Sequence, residues 1–102
     1  MTYTYWLHKK IQTDFNDGFA WYEDKREGLG HEFLNAVEKK IAEIVALPLT
    51  FGSKGNLHYR EALLDRFPYV IVYRIYKRKK EIFISGLHHT KKSTRIKFRR
   101  PN

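Results

Sequence analysis

Apolar side chains along this chain follow two different periods, and the points where the period changes divide it into elements. Residues 2–7, TYTYWL, are mostly β-branched or aromatic, which suits a strand pairing into a sheet. From Ile11 the spacing lengthens: Ile11, Phe15, Phe19 and Tyr22 recur at three- and four-residue steps, with Gln12, Asp14, Asn16, Asp17, Glu23 and Lys25 between them. That spacing predicts an amphipathic helix. Gly18 weakens it by roughly 1 kcal/mol relative to Ala unless a neighbouring helix needs close approach there. In KREGLGHE, Gly28 and Gly30 offer the positive φ that a helix stop and turn require.

A second helical stripe follows, made of Phe33, Leu34, Val37, Ile41, Ile44 and Val45, with Glu32, Glu38, Lys39, Lys40 and Glu43 expected on the outer face. Pro48 ends it and forces Leu47 out of the α region. After the loop TFGSKGN the pattern becomes strand-like over 57–66, 69–77 and 81–88, with RKK as a tight charged turn between the last two. Tyr69 to Ile75 is almost continuously apolar, as expected of a central strand covered on both faces. The order β, α, α, β, β, β predicts an α+β domain with the helix pair on one face of a sheet of about four strands. The other face is then left for function.

Charge alters this picture more than composition does. The 102 residues hold twenty Lys/Arg against eleven Asp/Glu, a net +9, and ten of the cations fall in 77–80 (KRKK) and 91–100 (KKSTRIKFRR). Clustering of this kind points to a polyanionic partner. The aromatic content, 16%, and the scarcity of Gly and Pro exclude a disordered chain. The chain has no Cys, which excludes a disulfide scaffold and a thiolate zinc site and fits a reducing compartment. The opening MTYTYWLHKK lacks an apolar signal core and no stretch approaches eighteen apolar residues, so a cytoplasmic protein without membrane contact is expected. Walker A, GxGxxG, HExxH and GxSxG patterns are all missing, and no cofactor is expected.

Two groups of residues are candidates for chemistry. Arg74 interrupts the apolar central strand, and Arg60 and Arg66 flank the strand beside it. Pointing the same way, they would form a guanidinium cluster for phosphate or carboxylate; each equally suits pairing with a local acid such as Glu61, Asp65 or Glu81. His88 and His89 end the last strand, where successive side chains face opposite ways, so one faces the helices and the other the open side. That geometry argues against a metal site. Metal-free RNA cleavage would need a base, an acid and cations on the phosphorane, which His88 or His89 with Arg60, Arg66, Arg74, Lys91 and Lys92 would supply.

Taken together, AWYEDKREGLGHEFL at 20–34, ALP at 46–48, REALLDRFPYVIVYRI at 60–75 and LHHTKK at 87–92 resemble the RelE/ParE superfamily of bacterial type II toxin–antitoxin systems, over about residues 10–95. The resemblance implies one toxin domain over 1–95 with a basic tail at 96–102, built as a strand, an αα-hairpin and a three-stranded antiparallel continuation. It implies a cognate acidic antitoxin that wraps the toxin and covers its basic face. It also implies one of two targets: messenger RNA cut on the ribosome, as by RelE-like members, or DNA gyrase, poisoned by ParE-like members that are not enzymes. The GLG and FPY motifs lean to the ParE pattern. No tyrosine follows Tyr76 to match the RelE C-terminal tyrosine, and Phe98 cannot act as an acid. An RNase reading would therefore rest on His88, His89, Arg66 and Arg74 as catalytic groups, with Arg60, Tyr69, Lys91, Lys92 and Arg95 binding nucleic acid or antitoxin. The competing class is a non-catalytic nucleic-acid-binding module or inactive relative, in which Tyr69, Tyr73 and Tyr76 stack bases on a basic sheet.

Overall fold

The computed structural model describes residues 2–52 and 58–91; the tail at 96–102, with Lys92 and Arg95, lies outside the described residues. Six elements follow one another: β1 (Thr4–Leu7), α1 (Ile11–Lys25), α2 (Leu29–Ala46), β2 (Arg60–Leu63), β3 (Tyr69–Tyr76) and β4 (Glu81–His89). The sheet order is β1-β4-β3-β2. β2, β3 and β4 run antiparallel as expected, and β1 joins the far edge of β4 in parallel, making a four-stranded mixed sheet. The second of these strands is shorter than the sequence suggests, four residues of the expected 57–66.

Both helices pack on one face. Phe33, Val37, Ile41 and Ile44 of α2 and Ile11 of α1 meet Ala62, Ile71, Tyr73, Ile82, Ile84 and Leu87 of the sheet in one core. The helices approach closely because two glycines let them. A Cβ on Gly18 would lie 2.4 Å from the Phe33 ring, and one on Gly30 would lie 2.7 Å from the Phe19 carbonyl oxygen. Of Gly28 and Gly30, only Gly28 takes the left-handed backbone, at φ 88°, where it precedes α2. Gly30 lies inside α2, and its role is packing rather than turning.

The interhelix turn is held by Glu23, whose carboxylate accepts from the Gly28 and Gly30 N–H groups at 2.9 Å each. These are donors at the start of α2 that lack intrahelical partners, and a carboxylate is the favoured acceptor for them. The Gly28 N–H in particular holds the Glu23 carboxyl below its ordinary range. At the start of α1 the buried His8 takes a comparable part, its Nδ1 accepting from the Lys10 N–H at 3.0 Å.

Lys40 departs from the outer face on which the helical pattern places it. It is buried, with Nζ 2.9 Å from Glu43 and 3.5 Å from Asp65, and it lies 5.4 Å from the Phe51 ring centre. The apolar stem is covered by the chain leaving α2, while the ammonium reaches two half-exposed carboxylates, which is how a long cationic side chain tolerates burial.

A bulge in β4 sets the direction of everything beyond it. Val72 pairs with Gly86 and Tyr73 with Ile84, so Ser85 is the extra residue; its Oγ donates to the Val72 carbonyl at 3.3 Å. The inserted residue shifts the alternation by one. Ile82 and Ile84 face the helices before it, and Leu87 does so after it.

Candidate functional site

With that shift, His88 pairs with Val70 on the reverse face and His89 pairs with Tyr69 on the helix side. The two imidazoles thus diverge, as their adjacency predicts. His88 is buried and lies over Gly86, where a Cβ would come within 2.5 Å of Nε2. His89 meets the Tyr69 ring edge-on at 5.3 Å, and its Nδ1 accepts from the Lys91 N–H at 3.1 Å. Tyr69 in turn packs on Phe33 and Tyr22. Burial, then the nearby Asp17 charge, pushes the Tyr69 phenol above its ordinary range; burial, then Tyr69 itself, does the same to Tyr22. Asp14 completes this seam by accepting the Leu87 N–H at 3.2 Å. That donor lies beyond the end of β1, whose pairing with β4 stops at Ile84.

The three arginines do not share a face. Arg66 sits in the β2–β3 loop with a left-handed φ of 71° and donates to Glu32 of α2 at 2.9 Å. Glu32 also holds Arg26 at 3.2 Å, and these two guanidinium groups, Arg66 first, keep its carboxyl below the usual range. Arg60, opposite Tyr73, turns to the helix side and donates to the Phe51 carbonyl at 2.5 Å. Arg74 alone faces the reverse side, 5.0 Å from the Tyr76 ring centre. Even the pair that does share this side, Arg74 and His88, is separated by four residues of β3, since His88 lies opposite Val70. That is roughly 13 Å of strand. The cluster expected from the sequence is therefore not assembled, because Arg66 and Arg60 find partners on the helical side.

Nor is the reverse face an open basic surface. Val70, Val72, Phe83, Ser85 and His88 on it are buried, and at the β1 edge Trp6 stacks on both Phe83 (5.2 Å) and Tyr76 (5.6 Å). Charge is instead divided along the chain. Residues 11–46 contain eight of the eleven acids and four of the twenty cations, a net −4, so the rest of the chain carries +13. Counting charge per element reveals this division in the sequence itself, and it places Lys77, Arg78, Lys79 and Lys80 at the far end of β3 and β4, all exposed. Lys91 is exposed beside His89. An apolar groove of about 550 Å³ runs between α2 and the β1 edge, lined by Tyr5, Ile41, Ala42 and Val45 among others. Among the described residues no group of three His, Cys, Asp or Glu side chains could hold a metal ion, and no helix is long and apolar enough to cross a membrane.

An αα-hairpin laid on a β1-β4-β3-β2 sheet with β1 parallel to β4 is the RelE/ParE toxin fold. Among solved structures, the chromosomal ParDE system of P. aeruginosa superposes with a TM-score of 0.77 at 13% identity, covering 87% of this chain and 97% of that one. The intact E. coli RelBE toxin–antitoxin complex gives 0.65 at 15% identity, over 88% of this chain and 99% of that one. The archaeal RelE–RelB complex from Pyrococcus horikoshii gives 0.56 at 16%, over 91% and 100%. No protein-family model and no curated protein matches the sequence.

Proposed function

We propose that this protein is the toxin of a type II toxin–antitoxin pair, that it acts in the cytoplasm by binding its target, DNA gyrase, in the manner of ParE-like toxins, and that a cognate acidic antitoxin neutralises it. The observation that carries this reading is the dispersal of the RNase candidates. His88 is buried on one face, His89 is engaged with Tyr69 on the other, and Arg66 is tied to Glu32 on α2. A metal-free cut needs base, acid and cations within reach of one phosphodiester, which these positions do not provide. The higher superposition with ParDE than with the RelE structures, 0.77 against 0.56–0.65, supports the same side, as do the GLG and FPY motifs. A partner that covers apolar surface accords with the exposed Tyr5, Leu7, Leu47 and Leu49.

Supercoiling by purified gyrase in the presence of the purified chain tests the reading. Inhibition or trapped cleaved DNA is expected, with transcripts left whole in cells arrested by the toxin. Transcript cleavage that disappears on His88→Ala or Arg66→Ala, with gyrase unaffected, would replace it by the RNase mechanism.

A further inference from the structure

We propose that the β3–β4 hairpin end is a binding site for the phosphate backbone of nucleic acid, independent of whether gyrase is the target. Lys77, Arg78, Lys79 and Lys80 fill the whole connection between the two strands and all are exposed. The Lys80 N–H donates to the Lys77 carbonyl at 3.3 Å, and Lys80 takes φ 56°, so the turn is closed and the four cations are kept together. Among the described residues none of these four is joined to an acid. The ion pairs found are those of Arg26, Lys39, Lys40 and Arg66, all with acids of α2 or the β2–β3 loop.

One cation of the turn, and one on the strand leading into it, lie over aromatic rings. Lys80 lies 5.5 Å from the Tyr3 ring centre, and Arg74 similarly covers Tyr76. Ring faces hold a cation in place without cancelling its charge. Ile75, Tyr76, Lys77, Arg78 and Lys79 line a shallow hollow of about 440 Å³. β2 pairs with β3 only between Tyr73 and Val70, so residues 74–76 form a free strand edge beside the turn, while β1 supports the β4 side through Glu81–Ile84 and the Thr4 N–H donates to the Lys80 carbonyl at 3.0 Å. Three of the four are lysines, which bind phosphate as point charges without the planar fork that reads a base, and the fork of Arg78 matches phosphate oxygens as well, so backbone contact is the chemistry this end offers.

The test measures affinity of the purified chain for a short duplex DNA and for a single-stranded RNA of the same length, across salt. A K77Q/R78Q/K79Q variant is set against K9Q/K10Q/K25Q, which removes the same charge from exposed positions elsewhere. The hairpin variant should lower the salt slope by about 2.7 on duplex or about 2 on single strands, which on duplex is a roughly forty-fold smaller loss of affinity between about 50 and 200 mM salt. The remote variant should bind like the parent. A preference for one nucleic acid identifies which backbone is used. Equal weakening by both variants would reduce the effect to net charge and overturn the proposal. So would unchanged nucleic-acid binding, including the case where only capture by an acidic antitoxin is lost. Gyrase inhibition is scored separately on the same variants, so failure of the target reading is distinguishable from failure of this site.

Discussion

In the helical layer Glu32 holds two guanidinium groups and Asp65 meets two ammonium groups, whereas at the β3–β4 turn four cations meet no acid among the described residues. Both regions belong to one chain of net +9, so total charge does not explain the difference. Where a cation lies beside a helix that carries acids, the fold uses it to fasten a loop. Where it lies at the end of a hairpin, it stays available. Position relative to the acidic layer therefore sorts structural from interactive cations better than residue type does.

Substitutions rank the two regions by what they cost. Phe33→Ala should be the most damaging, since the ring is fully buried and fills the space left by Gly18. A loss of about 3–5 kcal/mol is expected by urea denaturation, a large share of the stability of such a domain. Next comes Tyr73→Phe, which removes the buried hydroxyl donating to the Pro48 carbonyl at 2.6 Å and should cost about 1–2 kcal/mol.

The same phenol supplies a pH signature. Burial pushes Tyr73 up to about 12 from an ordinary 10. The unfolded chain then loses that proton first, so the contribution is intact below pH 10 and is lost as pH rises through about 12, by at most about 2–3 kcal/mol. Thermal melts of the parent should fall over that window more steeply than melts of Tyr73→Phe. Parallel curves would show that the hydroxyl is not held in this way.

Smaller effects sharpen the contrast. Lys40→Ala should cost about 1–2 kcal/mol, and Lys40→Met clearly less, because methionine keeps most of the buried stem. The hairpin variant K77Q/R78Q/K79Q should leave stability within about 0.5 kcal/mol of the parent. A loss comparable to that of Lys40→Ala would place those cations in the same fastening role as the helical ones and erase the distinction.

Most of the architecture was legible because each element announces its own period. α1 begins at Ile11 and α2 ends before Pro48, as the apolar spacing and the proline require. Gly18 sits where close helix approach is needed, the one condition under which the pattern tolerates it. The site was harder to read, for reasons that can be named. Which histidine faces the helices depends on the bulge at Ser85, and in a strand buried on both faces the one-residue shift it makes does not stand out from the apolar pattern. Arg66 was assigned by its nearness to β2, yet Glu32, 34 positions away, decides where it points. Lys40 reads as a surface residue until Phe51 and Asp65 are brought over it by the chain that follows α2.

The parallel contact of β1 with β4 carries a consequence for the order of assembly. Thr4–Leu7 is made early and its sheet partner, Glu81–Ile84, is made late, so the sheet cannot close its first edge until nearly all the described chain has been synthesised. Contacts this distant along the backbone slow folding, because a long loop must be ordered before they repay it. A ribosome-bound nascent chain can thus carry β1 and both helices while β1 still lacks its partner β4, the inner strand that joins it to the rest of the sheet.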